Sequence, residues 1–148
     1  VTHSLMYGCS KLGIKINIAC PKMREFMPAA FVVKESKKLA ESNNSSVNIY
    51  NNAMKAVKNA DIIYTDSWMS YRIPKEERPR RIKILKKFQV NSKLMKKAKK
   101  DAVFMHCMPA KRGDEATKEV IDGKKSIILE QAKNRLYTEK AILLKLLK

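Results

Sequence analysis

Short apolar runs, each closed by a turn former, alternate along this chain with longer stretches whose apolar residues recur at helical spacing. That alternation leaves few solutions. Strand and helix taking turns require parallel neighbours joined by crossovers, hence an α/β fold with a doubly wound parallel sheet and helices on both faces. The runs are residues 14–19 (IKINIA), 47–50, 61–65 (DIIYT), 102–106 and 126–129. Between them the spacing predicts helices. Residues 1–13 place Leu5, Cys9 and Leu12 on one face, with Gly13 as the C-terminal cap. Residues 31–42 turn Phe31, Leu39 and Ala40 toward the core. Asn51 or Asn52 caps a helix through Ala60, and Asn91 caps one running to about Lys99. A basic helical piece over 80–88, a short helix over 115–121 and a long amphipathic one over 131–147 complete the set. In the last, Leu136, Ala141, Leu143, Leu144 and Leu147 are available for packing. No internal repeat or low-complexity segment interrupts the order.

A length of 148 residues suits one domain, 1–148, and a hydrophobic share of 45% supports a packed core rather than disorder. No apolar run approaches membrane-spanning length, and the start lacks a signal-peptide pattern, so a soluble, cytoplasmic chain without membrane contact is expected. The cysteines, Cys9, Cys20 and Cys107, are odd in number and lack CxxC spacing. Neither a disulfide framework nor a metal site follows, and no metal or organic cofactor is expected. The formal charge of +18, densest at 78–87 (RPRRIKILKK) and 96–100 (KKAKK), favours anionic partners. It equally describes a solvated lysine surface. A basic nucleic-acid-binding module stays as a rival reading, but aromatics are sparse in these stretches, so specific nucleic-acid recognition is not expected.

Chemistry gathers where strands end. In 102–110 (AVFMHCMPA) the apolar run stops at His106, Cys107 and Met108, because Pro109 cannot donate to a ladder. Asp66 and Ser70 follow the DIIYT run, and 130–135 (EQAKNR), with Arg135, follows the last run. In a parallel sheet these ends share one edge, where ligands bind. An aspartate with a hydroxyl suits an ammonium group, and an arginine can hold a carbonyl or phosphate oxygen. Structural roles compete at each position. Cys107 can be a small core residue, Asp66 a loop acceptor, His106 a core histidine, Arg135 a surface cation and Trp68 a packing residue.

The segments ADIIYTDSWMS, KKFQVNSKLM, FMHCMPAKRGDEATKEVIDG and EQAKNRLYTEKAILL, in this order, resemble the second half of the ornithine carbamoyltransferase family. The resemblance spans essentially the whole chain. It implies the amino-acid-binding half of an enzyme that transfers a carbamoyl group from carbamoyl phosphate to the side-chain amine of ornithine, giving citrulline and phosphate. It implies that Asp66 and Ser70, in a loop continuing through Tyr71, bind ornithine. Cys107 then lies beside the reacting amine, with His106 in the same loop. The Cys107–Met108 backbone meets the carbamoyl group, and Arg135 holds a carbamoyl phosphate oxygen.

Two departures from the family pattern stand out. The usual Ser-Met-Gly loop reads Ser70, Tyr71, Arg72, which leaves putrescine or acylated ornithine as alternative amines. Lys133 stands where an acid usually precedes Asn-Arg. The family's phosphate-binding first half, most of its homotrimer contacts and the first central strand lie outside these residues. Two expectations follow from the resemblance: the last helix, about 131–147, packs on the absent half, and the fragment alone does not turn over. The remaining rival is a degenerate, non-catalytic paralogue or truncated reading frame that keeps the fold.

Overall fold

The computed structural model describes residues 1–69 and 73–147. Its elements run α1 (Thr2–Lys11), β1 (Ile16–Ala19), α2 (Ala30–Ser42), β2 (Val47–Tyr50), α3 (Ala53–Ala56) and β3 (Ile62–Thr65). After these come α4 (Arg78–Leu85), α5 (Ser92–Met95), β4 (Val103–His106), α6 (Lys118–Ile121) and α7 (Ile128–Leu146). The strands form two parallel pairs. β1 pairs with β2 from Ile16↔Val47 to Ala19↔Tyr50, and β3 with β4 from Ile62↔Val103 to Thr65↔His106. Among the described residues β1 and β3 each pair along one edge only, the form expected of a doubly wound sheet without its central strand.

Helices cover both faces, as the alternation of side chains along the strands shows. In β1, Ile18 joins Met6 of α1 and Val32 and Ala40 of α2 in one apolar cluster. The adjacent Asn17 points the other way and donates to the Ala56 carbonyl of α3 at 3.0 Å. In β4, Phe104 is fully buried in a second cluster with Ile63, Val90, Leu94 and Ile121. Met105, next along the strand, faces α7. Among the described residues no helix is long and apolar enough to cross a membrane.

Asn52 and Asn91 cap their helices as expected, accepting from the amides of Lys55 and Leu94 at 3.1 and 2.9 Å. Both helices are single turns, however, ending at Ala56 and Met95 rather than near Ala60 and Lys99. Two expectations are corrected. Phe31 is 67% exposed, and the inward face of α2 is Val32, Ser36 and Ala40, one residue round the helix. Residues 126–129 form no strand. A single parallel bridge, Phe104↔Ser126, is closed by Phe104 N donating to the Lys125 carbonyl and Ile127 N to the Phe104 carbonyl. The backbone then turns at Ile127 and α7 begins at Ile128, three residues earlier than expected. Leu129, read as a strand residue, is an exposed residue of its first turn.

The two phenylalanines separate these burial patterns. Phe104→Ala should cost about 3–5 kcal/mol in urea unfolding, and Phe31→Ala less than about 0.5 kcal/mol. A larger loss at Phe31 would restore the helix orientation that spacing alone suggested.

Candidate functional site

Pairing register positions the first two functional side chains. Thr65 lies opposite His106, so Asp66 and Cys107 leave the sheet side by side. The Cys107 thiol donates to Asp66 Oδ1 at 2.9 Å. The same oxygen accepts from the Ser67 amide at 2.7 Å, and Ser67 Oγ donates to the Met69 carbonyl at 2.9 Å, which curls the segment after β3. Trp68 is buried beneath that curl, its carbonyl accepting from Arg81 Nε at 3.0 Å. It is a packing residue.

Gln131, in the first turns of α7, ties both strand ends together. Its Nε2 donates to the Tyr64 hydroxyl at 3.1 Å, and its Oε1 accepts from the His106 amide at 3.0 Å. Arg135 follows one helical turn later on the same face. It is exposed and lines a groove with Met105, Gln131, Asn134, Thr138 and Glu139. Arg135 thus lies on the face of α7 that Gln131 joins to the strand ends, reached from a helix rather than from a strand end.

The imidazole of His106 is buried, 1% exposed, and does not line the open site. Strand alternation explains this, because His106 shares the inward face of β4 with Phe104. Its Nδ1 accepts from the Met108 amide at 2.8 Å, and its Nε2 faces Glu115 Oε1 at 3.3 Å. Met108 has φ of +60°, a left-handed conformation, and its peptide bond to Pro109 is cis. A left-handed non-glycine residue costs on the order of 1 kcal/mol and persists where its surroundings hold it. Here the bond to His106 Nδ1 is one such restraint.

Burial raises the Cys107 thiol, and the hydrogen bond and negative charge of Asp66 push it further, to about 11. At neutral pH Cys107 is therefore a thiol, weak as a nucleophile and able to donate a hydrogen bond. Burial, then the neighbouring Cys107, also raises the Tyr64 phenol. The two strand ends thus set one carboxylate, Asp66, against a neutral thiol, with the Tyr64 hydroxyl and Gln131 amide nearby, an arrangement suited to a cationic group. Among the described residues no group of three or more His, Cys, Asp or Glu converges as a metal site would require.

Of the residues singled out from the sequence, the fold brings Asp66 and Cys107 into contact, sets the buried His106 behind Met108, and places Arg135 one turn along α7 from Gln131. Ser70 and Tyr71 lie outside the described residues. Sequence reasoning missed Tyr64, Gln131 and Glu115. Gln131 stood inside a stretch already marked for chemistry, EQAKNR, whereas nothing in the local pattern distinguished Tyr64 or Glu115.

A family model described as "Aspartate/ornithine carbamoyltransferase, Asp/Orn binding domain" matches residues 1–146. The chain is 45% identical over 143 residues to the anabolic ornithine carbamoyltransferase of Pyrococcus furiosus, covering 97% of this chain and 44% of that protein. It is 44% identical over 147 residues to the catabolic ornithine carbamoyltransferase of Thermoplasma volcanium, covering 99% and 47%. The crystal structure of the anabolic ornithine carbamoyltransferase from Campylobacter jejuni superimposes with a TM-score of 0.91 at 33% identity, over 99% of this chain and 47% of that one. The chain therefore spans about half the length of the curated relatives it matches.

Alkylation of Cys107 by iodoacetamide should be slow at pH 7 and rise toward a midpoint of about 11. Asp66→Asn removes the charge that opposes thiolate formation, so the midpoint should fall by about one unit or more. An unchanged profile would mean that burial alone sets the thiol.

Proposed function

Because the chain belongs to the aspartate/ornithine carbamoyltransferase family, we propose that it supplies the amine-binding half of an ornithine carbamoyltransferase site. There the carbamoyl group of carbamoyl phosphate passes to the side-chain amine of ornithine, giving citrulline and phosphate. The observation that carries this reading is the Asp66–Cys107 pair, a carboxylate and a neutral thiol in contact at the carboxyl edge of a parallel sheet.

In this assignment Asp66, with Ser70 and Tyr71 from the adjoining loop, holds the charged amino-acid end of ornithine. The side-chain amine lies beside Cys107. It must be neutral to attack, and a thiol that stays protonated neither competes for the carbonyl carbon nor adds a second negative charge. The amine nitrogen forms a bond to the carbonyl carbon, the bond from that carbon to the bridging phosphate oxygen breaks, and phosphate leaves with the electron pair and the amine's proton. Negative charge growing on the carbonyl oxygen is met by the Arg135 guanidinium, and the Cys107 and Met108 backbone, whose carbonyls can accept from the carbamoyl NH2, lines that group. Holding both substrates at one rim removes much of the entropic barrier. His106 acts from within the core as a support for this backbone.

The carbamoyl-phosphate-binding half is the partner this site needs. Two features favour it. α7 exposes Leu136, Tyr137, Leu143, Leu144 and Leu146, an apolar surface that a second half would cover. The unpaired edges of β1 and β3 would both be satisfied by one further parallel strand. A homotrimer in the cytoplasm is the corresponding assembly and location for the complete enzyme.

Two measurements check the proposal. The 148-residue chain alone should form no citrulline from ornithine and carbamoyl phosphate, and activity should appear when it is co-expressed with the amino-terminal half of the Pyrococcus furiosus relative. In that complemented enzyme Asp66→Ala should raise the KM for ornithine by about tenfold or more, the loss of one charge-assisted contact. Faster turnover of putrescine or an acylated ornithine would reassign the amine, and no product from any of them would refute the reaction. The chain alone should also bind an apolar fluorescent dye along α7, and complementation should suppress that signal; a chain that binds none would remove the case for a covering half.

A further inference from the structure

The buried carboxylate of Glu115 has no part in the reaction just described, yet it is 1% exposed and aimed at a histidine that is equally buried. A lone carboxylate is costly in such a place unless bonds repay its lost hydration. Glu115 Oε1 accepts from the Lys111 amide and faces His106 Nε2 at 3.3 Å. That buried nitrogen makes no other polar contact among the described residues, so the Glu115 carboxylate at 3.3 Å is the acceptor that faces it. The contact with His106 and the Lys111 amide together outweigh burial and keep the carboxyl below its ordinary range.

The other ring nitrogen is already committed, since Nδ1 accepts from the Met108 amide at 2.8 Å. A proton on Nδ1 would collide with that N–H, so the ring carries its proton on Nε2, toward Glu115. Glu115 is fixed in turn by its own backbone, whose carbonyl accepts from Val90 N at 2.9 Å. The Gln89 amide holds the carbonyls of Gly113 and Asp114 just before it, each at 2.7 Å. The result is a continuous line from the loop anchor through Glu115 and His106 to the left-handed Met108, the residue after Cys107.

We infer that Glu115 is a positioning residue, which fixes the Nε2–H tautomer of His106 and thereby holds the Cys107–Met108 backbone, and the Cys107 thiol against Asp66, in the geometry of the site. The assignment rests on the reading of that backbone as part of the carbamoyl transfer site. Its test involves no turnover, so a failure of the reaction and a failure of this inference give different results.

Long-range nitrogen–proton NMR spectra of the isotope-labelled chain at pH 7 report the tautomer of His106 directly. Wild type should show a protonated Nε2 and an acceptor Nδ1; a proton on Nδ1, alone or on both nitrogens, would overturn the proposal. Glu115→Leu should lose that signature and free Cys107 from Asp66, so that its alkylation at pH 8 quickens by about tenfold. Cys9 and Cys20 are internal references and should keep their rates, whereas general loosening would accelerate all three and count against a positioning role. Glu115→Gln keeps an acceptor oxygen and should restore both the tautomer and the Cys107 rate to within about twofold of wild type. Should Glu115→Leu fail to fold, the wild-type tautomer and Glu115→Gln decide the matter, and a Glu115→Gln chain lacking the Nε2–H signature would overturn the inference.

Discussion

The parallel register of β3 and β4 is the constraint on which the site depends. Thr65 opposite His106 sets which residues emerge together, and the pleat then sorts them by face. His106 goes into the core with Phe104. Tyr64 and Met105 face α7. A slip of one residue in either strand would turn that strand's side chains to the opposite face. Gln131 bonds across the ladder to Tyr64 and to the His106 amide, a clasp between the strands at the point where pairing ends.

How much of this could be read from the sequence varies from residue to residue, for physical reasons. The caps at Asn52 and Asn91 were legible because capping is a local interaction between a side chain and an amide three residues on. The rim position of Asp66 and Cys107 was legible because apolar runs end where pairing ends, and Pro109 marks one such end. Residues 126–129 misled because a short apolar run suits a strand and the start of a helix equally well, and only tertiary contact chooses. Phe31 misled because a helix of mixed composition allows two neighbouring stripes, and the small Ser36 and Ala40 allow the closer approach. Glu115 and Tyr64 were invisible, since their roles arise from contacts across the chain that leave no periodic trace.

The charge balance acts on two scales. Most of the +18 is carried by exposed lysines and arginines. Pairs such as Arg80–Glu25, Arg112–Asp122 and Lys99–Asp61 tie separate segments at the surface. Individually such pairs contribute little to stability. Together the excess cations set a positive field that draws anions toward the chain at low salt. At the strand ends the order is reversed, with the Asp66 carboxylate set against the neutral Cys107 thiol and Tyr64 phenol. Long-range attraction is thus general, while selection at the rim is local.

The two strand pairs carry a thermodynamic consequence of their own. Met6, Ile18, Val32 and Val47 stabilise one pair, and Phe104, Ile63, Val90 and Leu94 the other, with no ladder bond described between them. Fraying on the β1–β2 side breaks no hydrogen bond of the β3–β4 ladder, while Ala19 of β1 and Ala53 of α3, packed against the Phe104 cluster, carry part of its cost across. The residues proposed for the chemistry lie on the β3–β4 side and on α7. Amide protection measured separately on the two sides would record how far that shared packing couples their opening.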